Sequence, residues 1–329
     1  MKVLILGAGA MGCLYGAAFH RAGGEVMLVD VNQPHIDAIN AHGLELETRA
    51  GTEHLPIPAR RPEEVAVRPS EGWGFGPRAE RLRSLPAQGL ADLVVVFTKT
   101  FHTDAALDGI KAAIGPETWL LSLQNGLGND RRLAAHAAED RIMVGASSLP
   151  SDLVGPGKVR SHGDGGSKLY PAFGGDPAFA QEVCELLTRG GLPAALEPDI
   201  HGAIWSKAIF NATMNPLCAL TRRTPGFLGS HEESRALIRA LVEEGVAVAN
   251  ASGVAIPAQP IHDLTRVSVT DHANHEASML QDVKAGRRTE VDAINGAIVD
   301  AARAAGVEAP LTETLWRLVK LEEAKLTDG

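Results

Sequence analysis

Three side chains stand four residues apart in the segment WSKAIFNATMNPLCAL: Lys207, Asn211 and Asn215. On a helix that interval puts them along one stripe. A lysine and two amides on one stripe, flanked by apolar Ile204, Ala208, Ile209 and Met214, make a polar track in greasy surroundings. Among the chemistries open to such a track is proton donation to a carbonyl under reduction. Lys207 can stabilise a developing alkoxide and give it a proton as general acid, and partial burial would lower its pKa toward working pH. The amides can donate to hydroxyl or carbonyl oxygens. Taken on residue types alone, a solvated lysine beside an interhelical amide pair is also open. None of the 12 histidines stands in a recognisable catalytic pattern. His272 and His275 are three apart without an evident third ligand, and no metal site is expected.

Carbonyl reduction needs a hydride donor, and the opposite end of the chain offers a place for one. Gly7, Gly9 and Gly12, with Ala8, Ala10 and Met11 between them, form G-x-G-x-x-G in LGAGAMG. The motif leaves an apolar run at 3–6 and opens a helical pattern at 10–21. In that context Gly7 allows a tight turn, Gly9 lets the backbone approach a pyrophosphate, and Gly12 lets helix and strand pack closely. The phosphate charge then sits at free N–H groups of the helix N-terminus. Asp30 closes the second strand about 20 positions on. A carboxylate there accepts hydrogen bonds from both ribose hydroxyls and repels a 2′-phosphate; it can also simply cap the next helix. No Arg or Lys lies at 31–35, although Arg60 or Arg61 would supply a cation if the chain folds back. NAD(H) is therefore the favoured cofactor, bound through residues 7–12 and Asp30.

Short apolar runs at 3–6, 26–29, 93–97, 119–123 and 142–146 read as strands. They alternate with helical stretches at 10–21, 33–40 and 103–114, which indicates a parallel sheet with helices on both faces. From about residue 198 the chain turns helical, with 3.6-residue periodicity at 201–220, 232–252, 264–273, 291–305 and 313–325. The expected architecture is an α/β N-terminal Rossmann domain with a mostly parallel sheet over 1–196, followed by an all-helical substrate and catalytic domain over 197–329. The stretch 59–89, rich in Pro, Gly, Arg and Glu, reads as an insertion, a lid or a disordered excursion, peripheral to hydride transfer but able to influence substrate access or subunit contacts, with Trp73 and Phe75 candidates for packing on the body or near the active-site mouth.

With 45% hydrophobic and 22% charged residues the chain is globular. A net charge of -9 argues against binding nucleic acid or an anionic membrane. Cys13, Cys184 and Cys218 lie far apart without metal spacing, which suits free thiols in a reducing compartment. No apolar stretch reaches the roughly 20 residues of a membrane span, and the N-terminus lacks the signal-peptide pattern. A cytoplasmic enzyme with a small-molecule substrate is expected, assembled as a homodimer.

With these motifs in this order, the sequence resembles the ketopantoate reductase (2-dehydropantoate 2-reductase) family over nearly its whole length. GAGAMG matches the family's opening glycine loop. FTKT, with Lys99, is similar to its lysine after the third motif strand, and LQNGLG, with Asn125 and Gly126, to its asparagine–glycine loop. WSKAIFNATMNPLCAL resembles its catalytic helix, and ASMLQDVKAGRRTEVDAINGAIV, with Ser278 and Glu290, its C-terminal signature.

The resemblance implies a helical domain like the C-terminal domain of 6-phosphogluconate dehydrogenase. It implies Lys207 and Glu290 as the catalytic pair, Glu290 orienting Lys207 or the substrate hydroxyl. Asn211 and Asn215 would bind substrate. Ser278 would bind the substrate carboxylate, though a serine before an apolar run also serves as a helix N-cap. Lys99 would meet the substrate carboxylate or the cofactor. Asn125 would meet the nicotinamide ribose or the substrate, with Gly126 beside it. The family's default reaction is reduction of ketopantoate to pantoate with NADP(H). Asp30 departs from that pattern, since a basic or neutral residue is usual there, and the stretch 59–89 is longer than usual. Both favour an alternative, an NAD-dependent D-2-hydroxyacid dehydrogenase on another substrate. A non-catalytic dinucleotide sensor is the alternative of a different class, but a sensor would not need Lys207, Glu290 and two amides together.

Overall fold

The computed structural model describes residues 1–65, 90–162 and 164–325. They form two compact units, Met1–Gln124 with Asn129–Ile200, and Asn125–Gly128 with the chain from His201 onward. In order, the first unit runs β1 (Lys2–Leu6), α1 (Ala10–Arg21), β2 (Glu25–Val29), α2 (Gln33–His42), β3 (Leu44–Thr48), β4 (Gly51–Leu55), β5 (Ala59–Arg60), α3 (Pro62–Val65), β6 (Leu93–Val96), α4 (Thr103–Gly109), β7 (Trp119–Ser122), α5 (Asn129–Leu133), β8 (Ile142–Ser147), β9 (Asp152–Gly155), β10 (Lys158–Ser161), β11 (Ser167–Pro171), α6 (Ala178–Arg189) and β12 (Ala194–Leu196).

Eight strands form the main sheet in the order β12-β11-β8-β7-β6-β1-β2-β5. Every pairing is parallel except β8 with β11. The mostly parallel α/β architecture is thus as expected. Strands β1 and β6 are apolar and buried along nearly their full length because both faces of the sheet are covered. Strand order reverses at β1, which lies between β2 and β6. Such a switch point is where open α/β sheets take their ligands, beyond the carboxyl ends of the strands.

A second sheet, β4-β3-β10-β9, was not anticipated. Its signal is an alternation in LELET: Leu44 and Leu46 are buried while Glu45 and Glu47 face out and pair with Lys158 and Arg160 of β10.

The insertion expected from Ala59 also needs correction. Ala59 and Arg60 are the edge strand of the main sheet, opposite Leu28 and Val29 of β2, and Ala59 is fully buried. A two-residue strand is too short for periodicity to reveal. Residues 66–89, including Trp73 and Phe75, lie outside the described residues.

The second unit consists, among the described residues, of helices: α7 (Ile200–Thr221), α8 (Pro225–Ser230), α9 (Glu232–Ala251), α10 (Gln259–Thr270), α11 (Ser278–Lys284), a single π-helical turn at Asp292–Gly296, α12 (Ala297–Ala305) and α13 (Pro310–Ala324). Two apolar clusters form its core. One gathers Ile209, Ala212, Val242, Ile294, Ile298 and Val319, the other Met214, Leu217, Cys218, Leu241 and Leu280. Pro216 lies inside α7, which runs on to Thr221. The three cysteines are free and buried. Among the described residues no helix is long and apolar enough to cross a membrane, and no cluster of three or more His, Cys, Asp or Glu could hold a metal ion.

Candidate active site

Strand β1 delivers the chain into Gly7 at φ +97, a conformation that favours glycine. Any Cβ there would lie 2.6 Å from the Thr98 nitrogen. The Gly7 N–H donates to the Val29 carbonyl at 2.8 Å, tying the loop to the end of β2. A Cβ on Gly12 would sit 1.9 Å from the Gly7 oxygen, so α1 can press onto the loop only with glycine at that position. Around Gly9 the space is open, with nothing within 4 Å of a built Cβ. Gly9 is the N-cap of α1, no side chain caps the helix, and its first turn carries no acid. Ala8 is buried, and Ala10 and Met11 are half-buried. A helix start with free N–H groups, positive dipole and an open glycine face is a place for a pyrophosphate.

Asp30 does more than end β2. Its Oδ2 accepts the Ala8 N–H at 2.8 Å and its Oδ1 the Asn32 N–H at 2.9 Å, so it clamps the glycine loop. It is not the cap of α2; that position belongs to Asn32. Two accepted hydrogen bonds leave lone pairs on a carboxylate that has about four acceptor sites. The chain does fold back beside it. The Asp30 N–H donates to the Arg60 carbonyl at 3.1 Å. The Arg61 guanidinium reaches the Val31 carbonyl at 3.3 Å while pairing with Glu63.

Lys99, half-buried, follows β6 and precedes a short 3-10 turn at Thr100–His102. Gln124, two residues past β7, makes a link that sequence reasoning missed. Its Nε2 donates to the Thr98 carbonyl at 2.6 Å and to Thr103 Oγ1 at 2.8 Å. It thereby fastens together the loops that follow β6 and β7. The one available signal was its place beside Asn125 in LQNGLG.

In the helical unit, Asn211 and Asn215 are buried on α7 and Lys207 is half-buried. Asn125 and Gly126, which follow β7, pack here as part of the second unit. Asn211 Nδ2 donates to Asn125 Oδ1 at 3.4 Å, and the Leu127 N–H donates to the Ala293 carbonyl at 3.0 Å. Gly126, at φ +87, lies so close that a Cβ would be 2.2 Å from the Ala293 oxygen.

Glu290 is buried two residues before the start of the π turn, and its carbonyl accepts the N–H groups of Ala293 and Ile294. The backbone around it is held from outside. Thr289 donates through N–H and Oγ1 to Glu323, while Asp292 takes Trp316 Nε1, Lys320 and Arg288. Arg287 pairs with Asp282. Burial pulls the Lys207 ammonium down to about 8, and the charge of Glu290 opposes that pull. At neutral pH Lys207 is thus mostly protonated yet poised to release a proton. Ser278 is exposed on the first turn of α11, whose N-cap is Ala277, so its hydroxyl is not spent on capping.

Residues 3–172 match the family described as ketopantoate reductase PanE/ApbA, and residues 199–323 match its C-terminal part. The chain belongs to the ketopantoate reductase family. It is similar to the 2-dehydropantoate 2-reductase of Pyrococcus horikoshii, 33% identical over 326 residues that cover 98% of each chain. The 2-dehydropantoate 2-reductase of Lactococcus lactis is 30% identical over 331 residues, 99% of each chain. Among solved structures, D-mandelate dehydrogenase in its ternary structure with NADH and anilino(oxo)acetate superposes with a TM-score of 0.89 at 29% identity, covering 99% of this chain and 100% of that one. Membership in the ketopantoate reductase family makes this chain an NAD(P)-dependent oxidoreductase acting on a CH–OH group and the matching carbonyl. The Gly7–Gly12 cradle and the uncapped start of α1 fit the pyrophosphate of such a cofactor.

Proposed function

We propose that this enzyme reduces the keto group of ketopantoate to the hydroxyl of pantoate, with Lys207 as general acid. The observation that carries this is the half-buried Lys207, brought to about 8 by burial and opposed by Glu290, on a helix face shared with two buried amides. A nicotinamide cofactor, when bound, would supply the hydride. Lys207 holds the carbonyl oxygen by its charge and gives that oxygen a proton from Nζ as the new C–H bond forms. The neutral amine left behind regains a proton from solvent. Glu290 keeps Lys207 charged between turnovers and orients it. Asn211 and Asn215 donate amide N–H groups to substrate oxygens. Ser278 offers its uncommitted hydroxyl to the substrate carboxylate, and Lys99 offers charge to that carboxylate or to the cofactor. Asn125 and Gly126 bear on the cofactor through the nicotinamide ribose. The assembly in this proposal is a homodimer, which sedimentation would check.

The preferred cofactor in this proposal is NAD(H). Asp30 presents fixed negative charge where a 2′-phosphate would have to sit, and Arg61 already has Glu63 and the Val31 carbonyl as partners. A second reading is favoured by Asp30 and by the likeness to D-mandelate dehydrogenase with NADH: an NAD-dependent dehydrogenase of another D-2-hydroxy acid.

Purified protein offered NADH or NADPH with ketopantoate and a panel of aliphatic and aromatic 2-oxo acids tests both. Ketopantoate with NADH is expected to give the highest kcat/KM. Lys207→Ala should lose about a hundredfold or more in kcat, the scale of a lost general acid, while still binding NADH. Asp30→Ala should narrow the NADH preference, since repulsion of a few kcal/mol at an effective dielectric near 20 is removed. Preference for an aromatic 2-oxo acid would establish the second reading. A wild-type preference for NADPH would overturn the role of Asp30, and near-normal turnover of Lys207→Ala would remove that residue from the mechanism.

A further inference from the structure

Within an α-helix the carbonyl of residue i accepts the N–H of residue i+4. For Ala212 in α7 that partner would be residue 216, which is Pro216 and has no N–H to give. The Ala212 carbonyl instead accepts Nδ2 of Asn295, 83 residues away, at 2.9 Å. Asn295 is fully buried, and its Oδ1 makes no hydrogen bond. Leaving a buried amide oxygen unpaired carries a desolvation cost, which an apolar side chain of similar size would avoid. Only the donor end of Asn295 has a use here.

Asn295 stands in the π turn at Asp292–Gly296. That turn starts on the Glu290 carbonyl, and its Ala293 carbonyl receives the Leu127 N–H of the Asn125 loop. One irregular turn therefore holds the Glu290 segment, the Asn125 loop and the part of α7 between Asn211 and Asn215. We propose that Asn295 is a positioning residue, substituting for the hydrogen bond that Pro216 cannot make and so fixing the Lys207–Asn215 stripe against Glu290. This rests on the assignment of Lys207 and its neighbours to the chemistry.

The test is a cycle of Asn295→Ala, Pro216→Ala and the double variant, with Lys207→Ala alongside. Alanine at 216 restores an N–H that can return to the Ala212 carbonyl. Asn295→Ala alone should lower kcat about tenfold, the scale of a slight misplacement, with the Kd for NADH within about twofold of wild type. Its alkaline kcat limb should also shift, because the Lys207–Glu290 spacing changes. The double variant should return to the kcat of Pro216→Ala alone. If Asn295→Ala does not fold, a folded double variant with that same kcat supports the proposal, and an unfolded one overturns it. Multiplicative losses in the double variant overturn it as well. So does a fall in Tm without any change in kcat or its pH limb, which would make Asn295 merely structural. Lys207→Ala separates the two claims: full turnover there defeats the assignment of Lys207, whereas the coupling between positions 295 and 216 is read independently.

Discussion

At the scale of single residues, Lys207 is subject to two opposed pulls. Removing an ammonium from water disfavours its charge, and a neighbouring carboxylate favours it. Burial wins, leaving the group at about 8. The sign of the pH dependence follows. With Lys207 as the proposed general acid, reduction needs it protonated, so kcat should fall as pH rises through about 8, and oxidation of the hydroxy acid, which needs the neutral amine, should rise through the same range. Glu290→Gln removes the charge that supports the ammonium. Its alkaline limb should therefore move to lower pH, with kcat at neutral pH down on the order of tenfold through lost orientation. Rate profiles of wild type and Glu290→Gln between about pH 6 and 10 check this. A limb that stays put or moves upward in the variant would show that Glu290 does not act on Lys207.

Among the elements, the Asn125 loop depends on a contact that tolerates no side chain. Gly126 combines φ +87 with a built Cβ 2.2 Å from the Ala293 oxygen, while Gly128 nearby has φ +78 but nothing within 4 Å. The pair separates backbone strain from crowding. Gly126→Ala should cost strain plus overpacking, about 1–3 kcal/mol each, and lower both Tm and kcat by displacing Asn125 from Asn211. Gly128→Ala should incur the strain alone. Thermal melts and kcat of the two variants decide the matter; equal effects would mean that docking on the π turn is unimportant. The π turn itself reads in sequence as ordinary helix at 291–305, because a single turn of this kind spans too few residues to be told apart by hydrophobic periodicity.

For the whole molecule, two compact units each bury their own core. Binding should protect them differently from amide exchange. NADH alone is expected to slow exchange in the Gly7–Gly12 loop, the first turn of α1 and the end of β2 at Asp30. A 2-oxo acid added to the NAD+ complex is expected to extend protection to α7 and to the segment from Ser278 to the π turn. Hydrogen–deuterium exchange with mass spectrometry resolves these peptides. Protection by NADH that spares the glycine loop would remove the dinucleotide from that place.

Features that depend only on near neighbours in the chain were legible in the sequence by itself. The glycine loop, the buried strands of the main sheet, the long helices and the Lys207–Asn211–Asn215 stripe all express a local rule: a turn that requires glycine, a two-sided sheet, or a four-residue interval. The short strand β5, the sheet built on β3 and β10, and the short helices α8 and α11 left too little pattern or too ambiguous a one. Other features had no local expression. The return of Arg60 and Arg61 to the side of Asp30 depends on β5 pairing with β2. The bridging role of Gln124 depends on the loop after β6 lying next to its own. Sequence named burial as an influence on Lys207, but its balance against the charge of Glu290 depends on how much water reaches Nζ, a property of packing alone. Likewise Pro216 announced a missing N–H in α7, and only the tertiary fold decided that the side chain of Asn295 would take its place.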